Sequence, residues 1–80
     1  MPEVFRLKGY KFFFYSQEAN EPPHVHIDKA GYSAKFWLDP VNMARNIGFS
    51  SKELREIREM VETSRTVLLE AWHGHFGDER

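Results

Sequence analysis

Apolar and polar positions repeat with a period of two through the first half of the chain and with a period near three and a half through the second. Strand side chains alternate between faces, whereas helical ones recur every three or four residues, so the pattern predicts strands followed by a helix. Val4-Phe5-Arg6-Leu7-Lys8 alternates from Phe5 onward and predicts a strand over about 4–8. Lys11 to Tyr15 predicts a second, over 11–15. Phe12 and Phe14 point to one side of it and Phe13 and Tyr15 to the other, so both of its faces need cover. Gly9-Tyr10 is the expected turn between the two. In the third strand, 24–29, Val25 and Ile27 form the apolar set and His24, His26 and Asp28 the polar set. The fourth, 32–38, puts Tyr32, Ala34, Phe36 and Leu38 on one face and Ser33, Lys35 and Trp37 on the other. Ala30-Gly31 joins them as a hairpin. Asp39-Pro40 ends the sheet, and the pattern over 41–49 fits either a brief helical turn or an extra strand.

Ser50 followed by Glu53 is a capping box, with Phe49 and Leu54 placed for a hydrophobic staple. From 51 to about 73, Leu54, Ile57, Val61, Leu68, Ala71 and Trp72 fall at three-, four- or seven-residue spacings, widened by Met60 and Val67. Lys52/Glu56, Arg55/Glu59 and Arg58/Glu62 are four-residue pairs on the outer side. Gly74 and Gly77 favour termination, and residues 78–80 are expected to fray. The expected architecture is a single α+β domain over 1–80. It has a small antiparallel or mixed sheet of three to four strands, with one long C-terminal helix packed on one face.

Composition narrows the function. Eighty residues make one small domain with a limited core. With 15% aromatic residues, some rings are available for a partner interface. The absence of cysteine excludes a disulfide scaffold, a thiolate metal site and a cysteine nucleophile. A net charge of −1 does not favour non-specific nucleic-acid binding, although Arg6, Lys8, Lys11 and Lys35 could form a local basic patch. The scattered glycines never approach a phosphate-loop spacing. Charged residues interrupt the N-terminal apolar positions, and no apolar run reaches the roughly 18 residues of a membrane span. A cytoplasmic location, with no membrane partner, is the expectation.

The segment that stands out chemically is Pro22-Pro23-His24-Val25-His26. Two imidazoles two residues apart on a strand share a face, and the paired prolines stiffen the approach to them. Three readings are open. In the first, Tyr15, Phe13 and Trp37 are aromatic anchors, with His24, His26 and Lys35 as the polar part of a protein-binding face. The partner is then a dedicated small protein, a second copy of the chain, or both, and no cofactor is needed. In the second, His24 and His26 are acid–base groups and Lys35 stabilises an anionic transition state, as in metal-independent cleavage of RNA. In the third, His24 and His26 ligate zinc or another transition metal. Asp28 and His73 would complete that set, with Glu70 and His75 as further candidates. The metal set meets an obstacle: if the helix covers the Val25/Ile27 face, His24 and His26 point away from it. His73 also has a structural role available, since a cationic imidazole is favoured at a helix C-terminus.

Taken together, several segments resemble the bacterial DUF4160 family. They are Met1-Pro2-Glu3-Val4-Phe5, Phe12-Phe13-Phe14-Tyr15-Ser16, Glu21-Pro22-Pro23-His24-Val25-His26, Ala34-Lys35-Phe36-Trp37-Leu38, Gly48-Phe49-Ser50 and Leu68-Leu69-Glu70-Ala71-Trp72-His73. The resemblance covers about residues 2–77. It implies that His24, His26 and His73 are hallmark histidines, without assigning them a role. It also implies a two-gene arrangement with a DUF2442-type neighbour, similar to toxin–antitoxin pairing.

Overall fold

The computed structural model describes residues 3–15 and 20–77. Residues 16–19 of the expected polar loop, and the expected frayed end 78–80, lie outside the described residues. Five strands form one antiparallel meander in sequence order: β1 (Glu3–Leu7), β2 (Tyr10–Phe13), β3 (His24–Lys29), β4 (Tyr32–Leu38) and β5 (Val41–Ile47). Three of the four connections are two-residue turns, set by the pairs Leu7↔Tyr10, Lys29↔Tyr32 and Leu38↔Val41. Lys8-Gly9 and Ala30-Gly31 both have positive φ, as a turn matched to the right-handed strand twist requires. The first turn is therefore centred one residue before the expected Gly9-Tyr10, and Tyr10 opens β2. Asp39-Pro40 is a cis peptide at the centre of the third turn.

The sheet does not end at Asp39-Pro40, as the pattern suggested. The chain reverses there and β5 adds a fifth strand. The register slips between Lys35/Phe36 of β4 and Met43/Arg45 of β5, leaving Ala44 as the extra residue of a bulge. That bulge breaks the two-residue period, which is why the segment did not declare itself a strand. A similar slip between Glu3 and Phe5 places a bulge in β1. Both edge strands of the sheet are thus kinked, a feature that discourages edge-to-edge pairing.

One long helix was expected; two occur, α1 (Ser51–Thr63) and α2 (Arg65–Phe76). The capping box is present: the Glu53 amide donates to the Ser50 hydroxyl and the Ser50 amide to the Glu53 carboxylate. At Ser64 the chain leaves helical geometry for one residue, while its amide still donates to the Met60 carbonyl and its carbonyl accepts from Leu68. Thr63 and Ser64 are weak helix formers whose hydroxyls compete for backbone groups. Next to them, Arg65 is held to the sheet through the Leu38 carbonyl and the Asp39 carboxylate, both at 2.8 Å. Of the three outer-face pairs, Arg58–Glu62 is formed among the described residues, at 3.2 Å. Gly74 lies inside α2, and Gly77, with φ near +85°, ends it. The helix thus runs three residues past the expected stop and carries Phe76 onto Trp72, ring centroids 4.2 Å apart.

Both helices lie on the face that carries Phe12, Val25, Ile27, Ala34, Phe36 and Leu38. Ile57, Met60, Val61, Leu68 and Trp72 complete this core. Each fully buried Phe, Ile or Leu contributes on the order of 1.5–3 kcal/mol, which lets a chain of this size hold a single fold. Asn46 links sheet to helix by accepting from the Phe49 amide and donating to its carbonyl, both at 3.1 Å.

Candidate functional site

The opposite face of the sheet follows from the strand register. Phe13, His26, Lys35 and Arg45 form one row across β2 to β5, and His24, Trp37 and Asn42 form the next. The alternation expected for strands three and four is therefore correct in phase. Lys11, Asp28, Ser33 and Ile47 make the row beyond.

Both imidazoles are buried. His24 has 0% of its surface exposed and His26 4%. They are interior groups, not the surface groups that a simple recognition patch would need. The paired prolines explain how His24 is held. Neither proline has an amide hydrogen, and both carbonyls are used: the His24 Nδ1 donates to the Pro22 oxygen at 2.8 Å, and the Leu38 amide to the Pro23 oxygen at 3.0 Å. A carbonyl can only accept, so Nδ1 carries a proton in this contact. His26 stacks on Phe13, with centroids 5.5 Å apart and planes inclined by 24°, and meets the edge of Tyr15 at 4.5 Å. The two imidazoles are 5.2 Å apart and nearly perpendicular.

His24 does face away from the main core, yet the helical layer still reaches it. Phe14 and His24 lie at the same end of the sheet, and Trp72 of α2 closes that end. Its ring stands 4.9 Å from His24 and 5.3 Å from Phe14. The expected direction of the histidine pair, away from the helix-covered face, holds, and the contact with α2 is made around the end of the sheet. On its other side His24 meets Trp37 at 5.6 Å, so a continuous run of rings joins Phe13, His26, His24 and Trp37. Edge-to-face pairs of this kind add on the order of a kcal/mol beyond area burial.

Lys35 is the polar centre. It stands opposite His26 in the ladder, its ammonium 2.7 Å from the Glu21 carboxylate and 4.6 Å from the Trp37 ring centre. The same Glu21 oxygen is 3.8 Å from the His24 Nδ1. Lys35 also has Arg45 as its partner on β5, and like charges directly opposite repel. Glu21 offsets this on one side only, leaving Arg45 exposed at the rim. Tyr15 is 41% exposed and Trp37 half-buried, so both present ring surface at the edge of the buried histidines.

The remaining expected residues are not drawn in. Asp28 sits one row further along and pairs with Lys11 and Ser33 in the ladder. His73 is exposed in the last turn of α2, with His75. Among the described residues no three His, Asp or Glu side chains gather at metal-holding distances. Three contributors went unmarked in the sequence reading: Glu21, Arg45 and Trp72. Glu21 precedes the two prolines and could have been paired with Lys35 only once the register was known. Trp72 belongs to the helix stripe, and its contact with His24 depends on how α2 packs against the end of the sheet.

Over residues 9–73 the chain matches the family described as Domain of unknown function (DUF4160), and it belongs to that family. No curated protein and no solved structure matches it. Among the described residues no helix is long and apolar enough to cross a membrane.

Proposed function

We propose that this DUF4160 protein is a partner-binding protein whose recognition surface is the sheet face opposite the helices. Tyr15 and Trp37 are its aromatic anchors, Lys35 and Arg45 its cationic part, and His24 and His26 the floor that fixes the anchors. The partner is a dedicated small protein, encoded beside it in a toxin–antitoxin-like module as the family resemblance implies. The observation that carries this reading is the second aromatic cluster. A small domain that already has a core on one face has assembled Phe13, His26, His24 and Trp37 on the other, with Tyr15 and Arg45 at its rim. Rigid aromatic anchors beside cations are the residues that dominate protein interfaces.

The same burial weighs against acid–base cleavage of RNA by His24 and His26. A general acid or base must come within hydrogen-bond reach of the reacting atom, and His24 presents no surface to solvent.

The test is co-purification from a native host with the neighbouring gene product, using wild type, Tyr15→Ala, Trp37→Ala and Lys35→Glu. The variants should lose the partner while Tyr15→Ala and Lys35→Glu keep a cooperative melt. Retention of the partner by all three variants would remove this face from the interface. RNA loss on expression of the chain alone, abolished by His26→Ala in a folded protein, would favour the catalytic reading.

A further inference from the structure

A second, separate surface lies between β5 and α1. Phe36, Met43 and Leu54 line an apolar groove of about 290 Å³, rimmed by Ser51, Arg55 and Arg58. That volume is at the lower end of ligand sites and suits one or two apolar side chains better than a cofactor. Met43 is 47% exposed although its ladder partner Phe36 is buried, so an apolar surface continues from the core out to solvent. The charged rim is of one sign. Arg58 is partly occupied, donating to the Val41 carbonyl at 3.1 Å and to Glu62 at 3.2 Å. Arg55 is exposed and forms no ion pair with Glu59 or any other described residue. The nearby Glu53 is committed to the Ser50 cap, and the first turn of α1 adds its own positive end. A second groove among the described residues, lined by Leu7, Lys8, Glu59, Met60, Thr63 and Ser64, carries both signs of charge and selects neither.

We infer that the β5–α1 groove docks a partner-protein segment presenting an apolar side chain flanked by acidic residues. The apolar side chain lies on Phe36, Met43 and Leu54, and the carboxylates face Arg55 and Arg58. The bulge at Ala44 interrupts the regular ladder edge of β5, so the segment engages through side chains rather than by adding a full strand. This surface is distinct from the histidine face, and either can fail without the other.

The experiment uses the full chain and three synthetic peptides. One has Leu and Phe flanked by Glu, one the same apolar pair flanked by Lys, and one Ser in place of the apolar pair between Glu residues. Binding is read from the Met43 methyl resonance and by fluorescence polarisation. The acidic apolar peptide should shift the methyl and bind more weakly as salt rises. Arg55→Glu and Met43→Glu should each reduce its affinity by about tenfold or more. Both positions are solvent-facing, and an unchanged melt confirms that the variants are folded. The inference is overturned if the Lys-flanked or Ser-containing peptide binds as well, or if no peptide moves the methyl. It is equally overturned if Met43→Glu only converts a dimer to a monomer, since the occupant is then a second copy of this chain.

Discussion

Replacing His24 by alanine separates a structural imidazole from a reactive one. The ring is wholly buried and touches Trp72, Trp37 and His26, and its Nδ1 donates to the Pro22 carbonyl. Losing the hydrogen bond costs about 1 kcal/mol. Emptying the ring volume between two tryptophans costs a further ~2–3 kcal/mol, by the scale of buried large-to-small substitutions. A chain of this length has a total stability of roughly 4–12 kcal/mol. His24→Ala should therefore lower the melting temperature by more than about 12 °C, at roughly 4–8 °C per kcal/mol, or fail to fold. His24→Phe keeps the ring volume and loses the donor, so its loss should be nearer ~1–2 kcal/mol. The assay is thermal and urea unfolding followed by near-ultraviolet circular dichroism, which reports the two tryptophans. A His24→Ala protein that melts within about 4 °C of wild type would refute the argument. The imidazole would then not hold the aromatic cluster, and its burial would need another explanation.

Other substitutions probe the frame. Ser50→Ala removes the hydroxyl that accepts from the Glu53 amide and should cost about 1 kcal/mol in urea unfolding. Gly48→Ala should cost more, about 2 kcal/mol: φ is near +101° there, and the added carbon would strike the Tyr32 ring. Burial first, and then the Glu56 carboxylate that its hydroxyl meets at 3.3 Å, raise the Tyr10 pKa above its ordinary 10.0. The folded state thus holds this proton more tightly than the unfolded chain. Its contribution is intact below about pH 10 and is lost as pH rises through the folded value. Melting temperature measured from pH 8 to 11 should fall more steeply for wild type than for Tyr10→Phe.

The parts of the fold legible in the sequence are those fixed by local rules. Residues 24–29 and 32–38 were bounded correctly because side-chain alternation continues to both strand ends and Ala30-Gly31 punctuates them. The start of α1 was legible because a capping box is a local hydrogen-bond pattern. What was not legible depends on contacts between distant residues. The helix break at Ser64 coincides with the anchoring of Arg65 on Leu38 and Asp39, twenty-six residues or more away. The strand character of β5 was hidden by its bulge and by its mostly exposed residues, which bury little apolar surface.

The histidine pair shows the same division at the level of the site. Strand phasing placed His24 and His26 on one face with Lys35 and Trp37, and the register bears this out. Phasing says which side of a sheet a residue occupies, and says nothing about what covers that side. Here the cover at the sheet end comes from Trp72 of α2, whose ring stands 4.9 Å from that of His24. The two imidazoles read as surface chemistry are interior groups: the Pro22 carbonyl holds His24, and both are flanked by rings. The exposed groups of that face include Tyr15, Asn42, Arg45 and Ile47, with Trp37 and Lys35 partly covered among them. With 0% and 4% of their surfaces exposed, His24 and His26 are reached from solvent only if what covers them opens. Acid–base chemistry by His24 or His26 would therefore require such an opening, whereas the proposed binding at the rim requires none.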